Sequence, residues 1–372
     1  MARRTGPSVF LFFALVPGLA AFGQAGAQSS PRTNQVIAAA PVVSSPVIPK
    51  NLKELMVLGW RVNGVAGIDK PWHLKATYQT FDADGNAAGS GTFEAWVASA
   101  EKWKWSYSGT RFNQTLYRNG GKVSRAGDPG WVPFQDRVAV DFLRRPLAGK
   151  EEIEPLYLTP ADRNVGAVPL HCVIASSVDP GLMASEDFAG NPMLALRESY
   201  RGWGVPTTCF NPDSAVARVE LFGDGLSSLL DDVVDVDGQY IAKDMWIRNG
   251  TVPIEHLTVT TLEVPAKLDE SDFAVPADAR AEEKYSGGHR TAERTPTYPA
   301  SAKTQRIGGL VMIRAKITQK GDIADPEVIS GPKELRSSAL EAVKTWKYEP
   351  YRLNGQPVEV SRTVSVIYAL AR

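Results

Sequence analysis

Few residues of this chain have types and spacing suited to catalysis or metal binding. None of the histidines has the H-E-x-x-H spacing, and no C-x-x-C pair accompanies them, so we predict no metal site at His73, His171, His256 or His289. No G-x-S-x-G elbow, P-loop or dinucleotide-binding fingerprint occurs. The sequence therefore predicts no catalytic residue and no cofactor, and we expect a protein that is not an enzyme.

An aromatic alternation and an acidic, glycine-containing run each allow both a structural and a functional interpretation. Trp103, Trp105 and Tyr107 alternate along one predicted strand, so they are candidates for lining an apolar pocket or stacking on a sugar. One wall of an ordinary core is the alternative. The D-A-D-G-N run at 82–86 is similar to a calcium loop, but its glycine is fourth and Phe93 occupies the twelfth place, so a hairpin turn fits better.

The chain contains two cysteines, Cys172 and Cys209. An even number in an exported protein favours a disulfide, which we predict between them; two buried free thiols are the alternative.

The N-terminus indicates export. Arg3 and Arg4 precede an apolar run at 9–21, and small residues follow at 25–27, which predicts a signal peptide over 1–27. The run is short for a membrane span of about 20 residues. We expect a protein of the periplasm or cell envelope; a retained inner-membrane anchor is the alternative.

The net charge of the chain bears on which partners it can bind. Lys plus Arg and Asp plus Glu each number 41, so the formal net charge is zero and we expect no nucleic-acid binding.

The length that remains after the signal peptide and tether are removed suggests two domains at about 150 residues each. Changes in composition predict a disordered tether at 28–50, a β-rich domain at 51–275, a linker at 276–297 and a small domain at 298–372.

The predicted fold class is α+β. Alternating apolar residues and Gly- or Asn-containing turns predict a large antiparallel, half-barrel-like sheet over 51–275, with a helix where Phe134, Val138 and Phe142 recur every four residues. The small domain has the order strand, strand, helix, strand. Its helix carries an apolar stripe from Leu335 to Trp346, and Arg362 interrupts the apolar face of the final strand.

The small domain resembles the C-terminal domain of TonB family proteins. The matching runs are Tyr298-Pro299, "GGLVMIRAKITQKGDIADPEVISG", "ALEAVKTWKYEP" and "NGQPVEVSRTVSVIY". The resemblance implies docking of an extended segment of an outer-membrane or other envelope protein by strand addition, or β-augmentation. It also implies that Trp346 and Tyr348 are core aromatics and that the partner-binding residues are Tyr298, Pro299, Val358, Val360, Arg362, Val364 and Val366.

Two departures from that family limit the resemblance. Energy-transducing TonB proteins keep an anchor with polar residues, including a histidine, and residues 9–21 contain none. A Pro-rich spacer precedes their C-terminal domain, whereas a β-rich domain precedes it here. A TonB-type energy-transducing transport component therefore stays an alternative.

The β-rich domain resembles the LolA-like half-barrel of periplasmic lipoprotein carriers in its opening "NLKELMVLG" and its closing strands. The resemblance implies that a concave sheet face holds a lipid or lipoprotein acyl chain under covering helices. We thus expect a non-enzymatic envelope protein that assists transport by binding an apolar ligand and a protein partner. A sugar-binding or hydrolytic envelope enzyme is a second alternative.

Overall fold

The computed structural model describes residues 48–144, 154, 157–165, 168–176, 207–221, 226–281 and 284–368. The predicted signal peptide and most of the predicted tether lie outside these residues. Within the described ranges, no helix has the length and apolar character needed to cross a membrane.

The larger domain is one antiparallel sheet with helices on one face. Its helices are α1 (Leu52–Val62) and α2 (Val138–Arg144). Its strands are β1 (Trp72–Phe81), β2 (Ala87–Ser99), β3 (Lys102–Gly109), β4 (Asn113–Asn119), β5 (Lys122–Gly127), β6 (Tyr157–Pro160), β7 (Arg163–Val165), β8 (Val168–Ser176), β9 (Thr207–Phe210), β10 (Ala217–Leu221), β11 (Leu226–Val236), β12 (Gln239–Asn249) and β13 (Val252–Glu263). A two-residue strand, β14 (Arg280–Ala281), completes the sheet beside β5.

Strand pairing confirms the predicted meander. The described order is β14-β5-β4-β3-β2-β1-β13-β12-β11-β10-β9-β8-β6, and β7 pairs with β8. Leu74, Ala76 and Tyr78 of β1 are buried on the face that the alternation predicts. The sheet therefore ends in short strands, β14 at one side and β6 at the other.

Two helices cover the buried face of the sheet. The side chain of Asn51 caps α1 by accepting from the backbone N–H groups of Lys53 at 2.9 Å and Glu54 at 3.3 Å. Within α1, Gly59 lies against the ring of Phe210, where a Cβ atom would be 2.4 Å from a ring carbon. Only glycine permits this approach of α1 to the sheet. The predicted helix around Phe134 is a 3₁₀ turn at 134–136 followed by α2.

The predicted disulfide is confirmed: Cys172 is bonded to Cys209. The two cysteines are directly paired across β8 and β9. Both are buried, so the bond ties two adjacent strands from inside the domain.

The C-terminal domain has the predicted order of strand, strand, helix, strand. Its elements are the short helix α3 (Ala300–Thr304), β17 (Gly309–Ile317), β18 (Ile323–Ser330), α4 (Lys333–Val343), β19 (Lys347–Tyr348), β20 (Arg352–Leu353), β21 (Gln356–Pro357) and β22 (Val360–Tyr368). The main sheet has the order β18-β17-β22. Gly321 forms the turn between β17 and β18 at a φ of +83°, and a Cβ atom there would lie 1.8 Å from the carbonyl oxygen of Tyr348.

The two faces of this three-stranded sheet have different cores. Val311 and Ile313 pack with Val343 and Trp346 on the α4 side. Leu310, Met312 and Ile329 belong instead to the core of the larger domain. The C-terminal sheet is therefore sandwiched between its own helix and the large sheet.

Hydrogen bonds from two hairpin turns of the larger domain also join it to the C-terminal domain. The side-chain amide of Asn249, at the end of β12, donates to the carbonyl of Leu310 at 2.9 Å. Arg336 of α4 donates to the carboxylate of Asp84 at 2.8 Å and to the carbonyl of Ala83 at 2.7 Å. The D-A-D-G-N run is thus a hairpin turn as predicted, and it also contacts the C-terminal domain.

The segment predicted as a linker forms short strands that pair with both domains. After β14, strand β15 (Tyr285–Ser286) pairs with β20, and β16 (Arg290–Ala292) pairs with β19. The backbone between the domains is therefore hydrogen-bonded along much of its course.

Candidate partner-docking site

The final strand, β22, has one paired and one unpaired edge. It pairs with β17 from Val360 opposite Ile317 to Tyr368 opposite Gly309. No other strand in the described part of the chain pairs with it. An edge strand of nine residues presents a row of backbone N–H and C=O groups that another strand can pair with.

A cleft of about 390 Å³ lies beside this strand. Residues 362–365 of β22 form one wall, and residues 288–293 form another. Ile317, Tyr348 and Tyr351 also line it. The cleft therefore combines strand backbone with an aromatic lining.

The second wall is fixed to the C-terminal domain by backbone contacts. The N–H of Glu349 donates to the carbonyl of His289 at 2.7 Å, and the N–H of Gly288 donates to the carbonyl of Glu349 at 3.1 Å. Gly288 has a φ of +79°, and a Cβ atom there would lie 2.1 Å from a carbon of the Tyr351 ring. Because these contacts hold the wall in place, the cleft is part of the folded domain.

Side chains add further support on the same side. The Arg290 guanidinium lies 4.3 Å from the centre of the Trp346 ring and forms an ion pair with Glu293 at 2.7 Å. The Trp346 indole N–H donates to the carbonyl of Arg294 at 3.1 Å. Burial raises the pKa of Tyr348 to about 12, so its hydroxyl is neutral at physiological pH.

The larger domain also reaches this region. Trp131 contacts Tyr285 with ring centres 4.4 Å apart and Tyr351 with ring centres 5.5 Å apart. The Arg362 guanidinium lies 4.5 Å from the Trp131 ring centre and 5.8 Å from that of Tyr351. One cleft-lining arginine is therefore in contact with both domains.

The predicted partner-binding residues fall into three groups. Val360, Val364 and Val366 lie in β22 with their side chains buried, so only their backbone is available to a partner. Arg362 lines the cleft. The other three are not part of β22: the ring of Tyr298 lies 5.3 Å from that of Tyr368, Pro299 is the N-cap of α3, and the N–H of Val358 donates to the Tyr351 carbonyl at 2.8 Å.

The apolar-pocket candidates are part of the large core or its border. Tyr107 is buried against Phe93, with ring centres 4.8 Å apart. Trp103 and Trp105 stack at 4.1 Å, and the Arg144 guanidinium covers the Trp105 ring at 3.5 Å. Residues Phe142, Leu143 and Met245, among others, surround a separate space of about 20 Å³ between α2 and the sheet.

A cluster of buried acids, which sequence patterns did not reveal, lies beneath α2. Glu255 is fully buried, and one carboxylate oxygen accepts from the backbone N–H of Ala139 at 2.7 Å. The other carboxylate oxygen has no hydrogen-bond partner among the described residues. Burial raises the pKa of Glu255 well above its ordinary value and also raises the pKa of Asp136. Both acids are buried, so this cluster is a feature of the core.

The C-terminal domain is similar in sequence to known proteins. Residues 294–370 match the family model of the Gram-negative bacterial TonB protein C-terminal. Protein TonB of Vibrio cholerae serotype O1 is 37% identical over 70 residues, which are 18% of this chain and 29% of that protein. The predicted resemblance is thereby confirmed, and the chain spans less than a third of the length of that relative.

Several solved structures are similar to this chain over a region that includes the larger domain. They include a LolA superfamily protein from Nitrosomonas europaea, with 8% identity, a TM-score of 0.36, and coverage of 60% of this chain and 97% of that chain. They also include the Pseudomonas aeruginosa MucA/MucB complex, with 10% identity, a TM-score of 0.28, and coverage of 80% of this chain and 98% of that chain.

Sequence reasoning missed Trp131, Tyr351 and residues 288–293, although all of them contribute to the cleft or its border. A tryptophan in the turn-rich run "DPGWVPF" was a usable signal, because a large aromatic in a Gly- and Pro-rich loop needs a partner surface. The partner itself lies in the other domain, and no periodicity in the sequence points to it.

Proposed function

We propose that this chain is a non-enzymatic protein of the bacterial cell envelope that works in the periplasm and docks an extended segment of another envelope protein. The docking site is the unpaired edge of β22. The single observation that carries this proposal is that edge, which lies within the region that matches the TonB C-terminal model and borders a cleft of about 390 Å³.

The physical basis is strand addition. An incoming strand would gain main-chain hydrogen bonds along β22, and alternate side chains would enter the cleft. Since Val360, Val364 and Val366 point into the core, the affinity depends on the backbone of β22. Side-chain changes on the exposed positions should therefore matter less than blocking the edge.

A proline scan from Ser361 to Ile367 tests the proposal. Proline removes a backbone donor and obstructs pairing on the edge where it is placed. The probe is a displayed library of random ten-residue peptides, panned on the purified full chain. We expect some of these prolines to abolish peptide capture while far-ultraviolet circular dichroism and the melting temperature stay close to those of the wild type.

The opposite edge of the same sheet supplies the matched control. Strand β18 pairs with β17 alone among described strands and already carries Pro326, so further prolines at Ala324 and Glu327 test the general effect of proline on this sheet. Capture should persist in those variants that fold. Equal capture by every folded β22 and β18 variant, or no capture by the wild type, would contradict the docking proposal.

A second proposed activity concerns the larger domain, which we infer binds an acyl chain beneath α2. The supporting observation is the apolar space of about 20 Å³ between α2 and the sheet, lined by Leu143, Ala242 and Met245 among others. A space of this size holds about one water molecule. Binding an acyl chain therefore requires α2 to move away from the sheet.

A fluorescent fatty acid tests this activity. Ala242→Phe fills the space and should reduce binding of the probe. Lys243→Ala is the matched control, because Lys243 forms an ion pair with Asp232 and does not line the space. Equal binding by both variants and the wild type would contradict an acyl site beneath α2.

A further inference from the structure

The charges of the docking cleft are unevenly balanced. Two arginines and one glutamate line it, and Arg290 and Glu293 form an ion pair with each other at 2.7 Å. Arg362 forms no ion pair with a carboxylate of the described residues. Arg362 thus contributes a positive charge beside the strand edge that the cleft itself does not neutralise.

Two aromatic rings hold this guanidinium in place. Trp131, from the larger domain, lies 4.5 Å from it, and Tyr351, from the C-terminal domain, lies 5.8 Å from it. Tyr351 is buried, and Trp131 packs against both Tyr351 and Tyr285. Stacking on aromatic faces leaves the N–H groups at the rim of a guanidinium free to bind a planar acceptor.

We propose that Arg362 selects docked segments that carry an aspartate or glutamate, and that Trp131 positions Arg362 for this contact. The inference rests on the proposed function, since it concerns a strand added to β22. The occupant is an extended acidic peptide segment of a protein partner. The larger domain would then take part in partner choice, through one residue of the turn that follows β5.

The chemistry favours a carboxylate for two reasons. A guanidinium offers parallel N–H donors that match the two oxygens of a carboxylate, and a charged pair of this kind is stronger than a neutral hydrogen bond. Ordering the arginine on two rings beforehand lowers the entropy cost of the contact. A neutral amide on the peptide would make weaker bonds, so acidic peptides should be preferred by at least about 10-fold.

Selection of displayed random ten-residue peptides on the full chain tests the proposal. On the wild type, we expect aspartate or glutamate to be enriched at one fixed position of the selected peptides. On Arg362→Gln this enrichment should disappear while peptides are still captured, and on Arg362→Glu lysine or arginine should replace the acids. Lys320→Gln is the control with an equal charge change, because Lys320 lies in the β17–β18 turn and does not line the cleft.

The outcomes separate this inference from the proposed function. Capture of peptides without acidic enrichment, or the same enrichment on Arg362→Gln, overturns the inference and leaves strand addition intact. Absence of all capture overturns both. A dimer of the full chain in sedimentation velocity that Ser365→Pro abolishes would make a second copy the occupant and would also overturn the inference.

Trp131→Ala tests the positioning role. The variant keeps the charge and the strand edge, so peptides without an acidic residue should still be captured, while the acidic enrichment should fall. Trp131→Phe keeps an aromatic face and should restore most of it. A merely structural role for Trp131 would lower capture and melting temperature together without changing the residue preferred, and that result would overturn its assignment.

Discussion

The two faces of the C-terminal sheet are buried in different ways. On one face, Val311 and Ile313 pack against Val343 at the end of α4 and against Trp346, three residues later. On the other face, Leu310, Met312 and Ile329 join the core of the larger domain. The first face resembles the core of a module that folds alone, whereas the second makes that module part of a larger body. The comparison therefore teaches that a matched family domain can acquire a second core from its neighbour.

The largest expected effect is on the first face. Trp346 is buried, and Trp346→Ala should lower the free energy of unfolding by about 3 to 5 kcal/mol, as large-to-small core changes do. Urea denaturation of the full chain, followed by circular dichroism, measures the loss. Trp131→Ala is the control, because Trp131 is 36% exposed and its removal should cost less. Equal losses in both variants would contradict the assignment of Trp346 to the core.

The second face should respond somewhat less. Met312 is buried against the larger domain, and Met312→Ala should cost about 2 to 4 kcal/mol. Amide hydrogen exchange should be faster in β17 and in the hairpin turns that contact it. Wild-type stability and exchange in this variant would mean that the two domains do not share a core.

The acid cluster beneath α2 gives a prediction for pH. Burial raises the pKa of Glu255 above its ordinary value of 4.5, so the folded protein keeps this proton while the unfolded chain releases it. Stability should therefore fall as the pH rises from about 4.5 toward the folded-state pKa. Glu255→Gln, which resembles the protonated acid, should reduce that fall, as urea midpoints at several pH values will measure. A parallel pH dependence in the variant and the wild type would contradict the prediction.

The smallest effect is expected at an exposed contact between the domains. Asp84 forms ion pairs with Arg336 and Lys333, and these hold the pKa of Asp84 below its ordinary value. Asp84→Asn should change stability little, because water and salt screen exposed pairs and Arg336 keeps its bond to the carbonyl of Ala83. A large loss, measured by urea denaturation at low and high salt, would show that this turn holds the domains together.

The difference between the two faces also explains how much of the fold was predictable. Strand alternation, the α4 stripe, the hairpin turns and the disulfide all depend on residues near one another in sequence or on a single possible pairing, and each was predicted. Leu310 and Met312 alternate with Val311 and Ile313, and the sequence alone does not say that both sets are buried. Only the second domain decides that, because burial of a sheet face depends on what packs against it.

The candidate site also has parts that the sequence predicts and parts that it does not. Arg362 was conspicuous as the one charged residue on the apolar face of the final strand, so its place near the docking edge was predictable. Its contact with Trp131 was not, since more than two hundred residues separate them. Val364 and Val366 were correctly placed in the strand, but their buried side chains leave only backbone for a partner.

The ends of the sheets have a consequence for aggregation in a crowded compartment. The large sheet ends in β14, with two residues, and β6, with four, and such short edges recruit other chains poorly. In the C-terminal sheet, β18 carries Pro326 and places Asp325 at a φ of +46°, which interrupts a regular edge. Among the described strands that form sheet edges, β22 alone is long and free of proline. Within the described part of the chain, β22 is thus the one long strand edge at which pairing with another chain is not obstructed.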